Sequence, residues 1–234
     1  MSKSQFFPIK MNQWIIHSLS LLILWTLSQN ANAQSYSLKI SPVSFTIDEQ
    51  SFNGYTTIFT QPFKEVKKEW WKYVNARTII FNKKTHLVLT VPAKGKETNE
   101  PLQFISQLTE QKDKKKSILR VALVKDGIPN DQLTELDKQV RYLLKDFKVD
   151  YFTTLVQEKI DIQELTVKKI SREMDEYLLD NSKLQLRIEK KPEEKNELAQ
   201  KLKANTGEIE KLQAKLISSQ KKLAQYKHEL TLIK

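Results

Sequence analysis

Histidine is the side chain best suited to acid–base and metal chemistry near neutral pH, and the chain has three, His17, His86 and His228. No two of them have the spacing of a ligand pair, and the chain contains no cysteine. Its four glycines form neither a phosphate-binding loop nor a Gly-x-Ser-x-Gly nucleophile elbow. The adjacent acids Asp48-Glu49 and Glu193-Glu194 fit a solvated turn and a helix start. We therefore predict a non-enzymatic protein without a cofactor or metal; an enzyme would need the fold to bring His86 against a carboxylate.

Binding chemistry is better represented, by lysines and tryptophans. A short polar stretch holds the candidate anion contacts Lys112, Lys114, Lys115 and Lys116. Their alternative role is to charge a sheet edge and so block aggregation between sheets. Of the pair Trp70-Trp71, we expect one ring in the core and take Trp71 as the candidate platform for a partner. Residues 34–130 carry 16 Lys and Arg against 9 Asp and Glu, and residues 131–234 carry 21 against 19. The excess favours anionic partners such as phosphate-bearing lipids or polysaccharides, and no specific nucleic acid is indicated.

The first 33 residues have the layout of a secretory signal peptide. Lys3 and Lys10 precede an apolar stretch over residues 15–27, and Ala31-Asn32-Ala33 offers a small-x-small cleavage pattern before Gln34. The apolar stretch is shorter than the about 20 residues that a membrane-spanning helix needs. We predict export, cleavage between Ala33 and Gln34, and a soluble protein in the periplasm or outside the cell.

Residues 34–128 predict a small basic α+β domain of ββαββββ order, an antiparallel sheet with one packed helix. Alternating apolar residues predict a strand over residues 35–47, a turn over 48–54 and a second strand over 55–60. Pro62 suits the first turn of a helix whose apolar stripe contains Val66 and Trp70. Four further strands follow, over residues 78–81, 87–91, 102–109 and 118–124, and the lysine-rich stretch lies at the tip between the last two.

Residues 129–234 predict a long helix that forms a coiled coil. Counting Ile160 as position a, nine of eleven a positions and seven of eleven d positions are apolar. The predicted seam consists of Ile160, Val167, Ile170, Met174, Tyr177, Asn181, Leu184, Ile188, Leu198, Leu202, Asn205, Ile209, Leu212, Leu216, Leu223, Tyr226 and Leu230. An earlier apolar series is out of phase with this one, and we expect the helix to leave the domain where they meet, near residues 147–153. Because a small domain cannot cover so long a stripe, we expect a homo-oligomer, with Asn181 and Asn205 fixing its register.

Pro192 interrupts the seam, and two structures are compatible with it. Proline inside a helix kinks it, but Pro192 followed by two glutamates would equally suit the start of a new helix in a folded-back hairpin. The heptad phase crosses Pro192 unchanged, since 21 residues separate Ile188 from Ile209. We take this as favouring a continuous or kinked helix about 150 Å long. Gly207, at the other end of the same soft region, weakens the helix locally.

The stretch from Phe63 to Tyr73 contains the spacing Val66-x-Lys68-x-Trp70-x-x-Tyr73. It resembles a helix of an uncharacterised family of secreted Gram-negative proteins, which share the order of signal peptide, small α+β domain and Lys/Glu-rich coiled coil. After this helix, Asn75-Ala76-Arg77 occupies the positions where a Gly-rich segment would be expected. The resemblance implies architecture and export but no activity. Two functions are therefore expected: an envelope scaffold that self-associates through its coiled coil, or a binding module for anionic envelope polymers or lipids with the coiled coil as a spacer.

Overall fold

A computed structural model of the chain describes residues 36–91, 101–111 and 116–233. The strands are β1 (Ser41–Ile47), β2 (Gln50–Phe59), β3 (Ile79–Asn82), β4 (Leu87–Val91), β5 (Leu102–Gln111) and β6 (Lys116–Leu123), and the helices are α1 (Phe63–Asn75), α2 (Asn130–Lys190) and α3 (Lys195–Leu232). The strands form one antiparallel sheet in the order β1-β2-β6-β5-β4-β3. This confirms the α+β class and the ββαββββ order.

The first hairpin is tighter than the sequence pattern indicated. Only Asp48 and Glu49 form its turn, both with positive φ (47° and 70°), and Ile47 pairs directly with Gln50. A two-residue turn with positive φ at both residues matches the twist of the flanking strands, and Asp tolerates the left-handed region well. The turn predicted over residues 48–54 was therefore too long, because β2 already begins at Gln50.

Gly54 allows this hairpin to lie unusually close to strand β6. A Cβ at this position would overlap the Val121 carbonyl and would stand 2.7 Å from the Cβ of Ala122. Three apolar side chains of this hairpin, Phe45, Ile47 and Phe52, are buried on one face of the sheet. They pack there with Ile105 and Ala122. The hairpin reaches across that face, since Asp48 at its turn lies 3.9 Å from His86 in the β3–β4 loop, although strands β6 and β5 separate the hairpin from β4 in the sheet.

The opposite face of the sheet carries the main core, onto which α1 and the first part of α2 pack. Aromatic rings form its centre: Phe147 of α2 contacts Phe59, Trp70 and Tyr73, with ring centroids 4.8–5.6 Å apart. The core residues on α2 continue through Tyr151, Phe152 and Val156 to Ile160. The expectation that the helix leaves the domain near residues 147–153 was therefore wrong, because those aromatic residues are core residues.

The long helical segment folds back at Pro192, which overturns the expected continuous helix. α2 ends at Lys190, Lys191 leaves the helical region (φ −132°, ψ 77°), and Pro192–Glu194 form a single 3₁₀ turn from which α3 begins. A residue that precedes proline is disfavoured in the α region, so helix α2 stops there. Glu194 then closes the turn through Arg187 (2.6 Å) and Lys191 (2.8 Å), and these hydrogen bonds and charges lower its pKa.

Helices α2 and α3 pair as an antiparallel hairpin whose contact face is the predicted seam. Leu198, Ile209 and Leu212 are buried in it, and every other seam residue is at least partly buried. Polar contacts cross the pair: the Gln163 side chain donates to the Ser219 carbonyl (3.1 Å), and Lys227 pairs with Glu164 (2.7 Å). The end of α3 returns to the sheet, where Ile233 joins the main core. One core thus spans both sides of the predicted boundary at residue 128.

Two predictions fall outside the described residues. These are the signal peptide over residues 1–33 with its cleavage point at Ala33/Gln34, and the side chains of Lys112, Lys114 and Lys115. Within the described ranges, no helix combines the length and the apolar character needed to cross a membrane.

Candidate anion-binding site

The two neighbouring tryptophans of α1 have different environments. Trp70 is 1% exposed, and its indole N–H donates to the Ser106 hydroxyl at 2.8 Å. Trp71 is 38% exposed. A helix turns by about 100° per residue, so when Trp70 points at the sheet its neighbour is directed to the side of the helix. Trp70 is therefore a core residue, and Trp71 is the ring available to a ligand.

Trp71 lines a cleft between α1 and the β3–β4 loop, with a volume of about 150 Å³. Lys67 and Trp71 form its α1 wall, and the loop contributes Lys83, Lys84 and His86. The apolar floor consists of Phe63, Trp70, Leu87 and Leu108. We call this space the Trp71 cleft. It is large enough for about one sugar ring or one small anionic group, and it combines a flat aromatic surface with three lysines.

The three lysines of the Trp71 cleft outnumber its acids, since the carboxylate placed against a lining residue is that of Asp48, beside His86. Lys67 lies over the Phe63 ring at 5.9 Å, and within the described ranges neither Lys67, Lys83 nor Lys84 has a carboxylate at salt-bridge distance. The acidic side chains of α1 lie outside the cleft. Glu65 and Glu69 line a separate depression between α1 and α2. On α1, Lys68 and Lys72 pair with Glu69 on the side that faces α2, whereas Lys67 lines the cleft without an acid of α1 beside it. This arrangement gives the cleft a positive potential that attracts anions.

His86 does meet a carboxylate, which is the arrangement that an enzyme would have required. Its Nδ1 is 3.9 Å from Asp48 and 3.0 Å from the Thr85 hydroxyl. In an acid–base triad the carboxylate and the nucleophile contact opposite nitrogens of the ring, so that one orients the imidazole while the other exchanges a proton. Here both neighbours meet the same nitrogen. The geometry is that of a histidine held in a loop, and it supplies no nucleophile–base pair.

Lys116, the predicted lysine contact that the structure describes, lies toward the same end of the sheet. Pairing of β5 with β6 continues from Ser106, in the cleft floor, to Gln111 opposite Lys116. Lys116 is partly buried at the start of β6. The structure thus places Trp71 and Lys116 at one end of the sheet but does not show them in contact.

Three site residues, Lys67, Lys83 and Lys84, were not predicted from the sequence. Lys67 could have been found, because it lies four residues before Trp71 and so on the same side of a helix. Lys83 and Lys84 could not, because only the packing of α1 against the sheet brings their loop to the helix. Among the described residues, no group of three or more His, Asp or Glu side chains could hold a metal ion.

The predicted seam residues are brought together, but by the chain itself. The stripe on α2 faces the stripe on α3, so the surface that was expected to recruit a second chain is already covered. Comparison of the chain with protein-family models, with curated proteins and with solved structures finds no match. The resemblance to a secreted Gram-negative family accordingly stays a prediction.

Proposed function

We propose that this protein is a non-enzymatic binding module that recognises an anionic polymer of the cell envelope through the Trp71 cleft, with the helical hairpin as a spacer. The observation that carries the proposal is the exposed Trp71 ring beside three lysines without acidic partners in the described residues. An indole face packs well against the apolar face of a sugar ring. Lysine ammonium groups at the rim bind carboxylate, sulfate or phosphate substituents through charge-assisted hydrogen bonds.

The alternative, a scaffold that self-associates through its coiled coil, loses its main motivation. That expectation rested on an apolar stripe too long for its own domain to cover. In the hairpin, α3 covers the stripe on α2 and returns to the core. Self-association through the seam would require the hairpin to open and exchange α3 between two chains. Self-association through the coiled coil therefore stays a prediction, which hydrodynamic measurements can test.

The experiment is calorimetric titration of residues 34–234 with oligomers of a polyuronate, and with a neutral glucan of the same length. We expect binding to the polyuronate only, with an affinity that falls as salt rises from 50 to 300 mM because the contacts are screened. The variant Trp71→Ala removes the aromatic surface, and the double variant Lys83→Gln/Lys84→Gln removes two cations. Each should weaken binding about tenfold, which corresponds to the loss of one or two charged or aromatic contacts.

A matched control is the double variant Lys203→Gln/Lys221→Gln, which removes the same charge from exposed positions on α3. It should bind as the parent chain does. Equal affinity for the charged and neutral oligomers would contradict the proposal. So would an equal loss in the control and cleft variants, because binding would then follow net charge and not the cleft.

A further inference from the structure

A second basic groove lies between the chain segment that precedes β1 and the first turns of α2. It has a volume of about 620 Å³, and its lining residues are Leu38, Lys39, Ile40, Lys138, Arg141, Tyr142 and Lys145. Four of these seven side chains are cationic and none is acidic. We call this the α2 groove. It shares no lining residue with the Trp71 cleft.

The cations of the α2 groove are arranged to converge. Lys138, Arg141 and Lys145 follow one another at spacings of three and four residues, so they lie on one side of α2 with Cβ atoms about 5–6 Å apart. Tyr142, 59% exposed, adds a phenol hydroxyl beside them. The opposite wall of the groove is the segment Leu38-Lys39-Ile40. A hydrogen bond holds this segment to β2, because the Thr57 hydroxyl donates to the Lys39 carbonyl at 3.0 Å.

Three of the four cations of the α2 groove form no salt bridge in the described part of the chain, whereas several lysines elsewhere on the hairpin do. Lys183, Lys201 and Lys211 each pair with an acid three or four residues away on their own helix, at 2.6–3.4 Å. In the groove only Lys138 has such a partner, Glu135 at 3.2 Å. Within the described ranges Lys39, Arg141 and Lys145 have none.

The acid one helical turn before Arg141 forms no salt bridge with it. Asp137 stands one turn before Arg141 and accepts a hydrogen bond from the Tyr55 hydroxyl at 2.7 Å. Like charges at these helix spacings are destabilising. Glu135 and Asp137 offset part of the repulsion among Lys138, Arg141 and Lys145, and a bound anion would offset more of it.

We propose that the α2 groove binds a ligand that carries clustered phosphate groups. A phosphate monoester has a charge of about −1.5 to −2 and three acceptor oxygens, so it can engage several cations at once, whereas a carboxylate offers one charge and two oxygens. The planar guanidinium of Arg141 suits bidentate phosphate contact, and the lysines act as flanking charges. The groove is open on one side, so it can admit either a soluble phosphorylated compound or a lipid headgroup.

The test uses two probes, inositol hexakisphosphate in solution and vesicles that contain a quarter phosphatidic acid, with residues 34–234 as the protein. We expect binding of the soluble probe, and an affinity loss of about tenfold or more in the double variant Arg141→Gln/Lys145→Gln. The control Lys203→Gln/Lys221→Gln should bind normally, and circular dichroism shows whether each variant remains folded. Vesicle binding that is lost in the same double variant would identify a lipid headgroup as a source, and soluble binding without vesicle binding would identify a free phosphorylated compound.

Two outcomes would overturn the proposal. One is equal binding by the parent chain and the folded Arg141→Gln/Lys145→Gln variant. The other is loss of hexakisphosphate binding in Trp71→Ala with none in the groove variant, which would assign phosphate binding to the Trp71 cleft. Because the two sites share no residue, failure at the groove leaves polyuronate binding at the cleft unaffected, and the two proposals fail separately.

Discussion

Lys148 is a buried cation in the middle of the main core, and only 1% of it is exposed. Its ammonium group donates to the Ile58 carbonyl at 3.3 Å and lies 5.3 Å and 5.8 Å from the ring centres of Phe59 and Phe152. No carboxylate in the described part of the chain forms a salt bridge with it. Burial lowers the pKa of Lys148 to about 8, because removal from water disfavours the charged form.

This burial predicts that the protein becomes more stable at mildly alkaline pH. Between pH 8 and 10 the unfolded chain still binds the proton that the folded chain has released, so the free energy of unfolding rises with pH. Lys148 alone should contribute a rise of roughly 2 kcal/mol, measured by urea denaturation. From about pH 9 upward an opposing contribution grows, because burial raises the pKa of Tyr73 and Tyr151 and the unfolded tyrosines ionise first.

Replacement of Lys148 by methionine provides the control. The side chain keeps a similar length without a charge, so Lys148→Met should be more stable than the parent at pH 7 and should lack the rise between pH 8 and 10. A rise of equal size in both proteins would show that another group is responsible.

At the scale of the elements, the strands and α1 were predictable, and the hairpin was not. Alternation identifies the strands because each exposes one face to a core, and Pro62 marks the start of α1 in both sequence and structure. The unchanged heptad phase across Pro192 did not reveal the turn. Each of the two helices needs an apolar stripe of its own, and nothing requires the two stripes to be out of phase. An in-phase stripe on either side of Pro192 fits one long helix and two paired helices equally well. The informative signal was the proline with its two following glutamates.

Asn181 is the weak point of the paired helices. It lies on the seam of α2, and its side-chain oxygen is buried without a hydrogen-bond partner among the described residues. A buried polar atom of this kind costs about 1–3 kcal/mol. We therefore expect Asn181→Leu to raise the free energy of unfolding by about 1–2 kcal/mol in urea denaturation.

The matched variant is Asn196→Leu, at an exposed position of α3. It makes the same substitution in the first turn of α3 without filling the seam, so it separates the effect of seam burial from that of the substitution itself. If Asn196→Leu stabilises the protein as much as Asn181→Leu does, the buried amide is not the cause. A change in mass on substitution of Asn181 would instead show that this residue selects the number of associated chains.

For the whole molecule, the covered seam predicts a monomer. The hairpin places positions 168 and 220 on adjacent helices, about 10 Å apart between axes, whereas a continuous helix would separate them by roughly 78 Å. Because the chain contains no cysteine, the substitutions Lys168→Cys and Gln220→Cys allow clean labelling of both exposed positions. We expect efficient energy transfer within one chain, together with a monomer mass by sedimentation at micromolar concentration.

The same labels distinguish the two ways in which the seam can be covered. In a monomer, diluting the doubly labelled protein with unlabelled protein leaves energy transfer unchanged, because donor and acceptor are on the same hairpin. In a dimer that has exchanged α3, the label at position 168 of one chain lies beside position 220 of the other, so dilution lowers the transfer and the mass doubles. The exchanged dimer would restore self-association as the function of the helical half. The monomer would leave that half as a projecting arm, whose turn at Pro192 lies far along the hairpin from both basic sites.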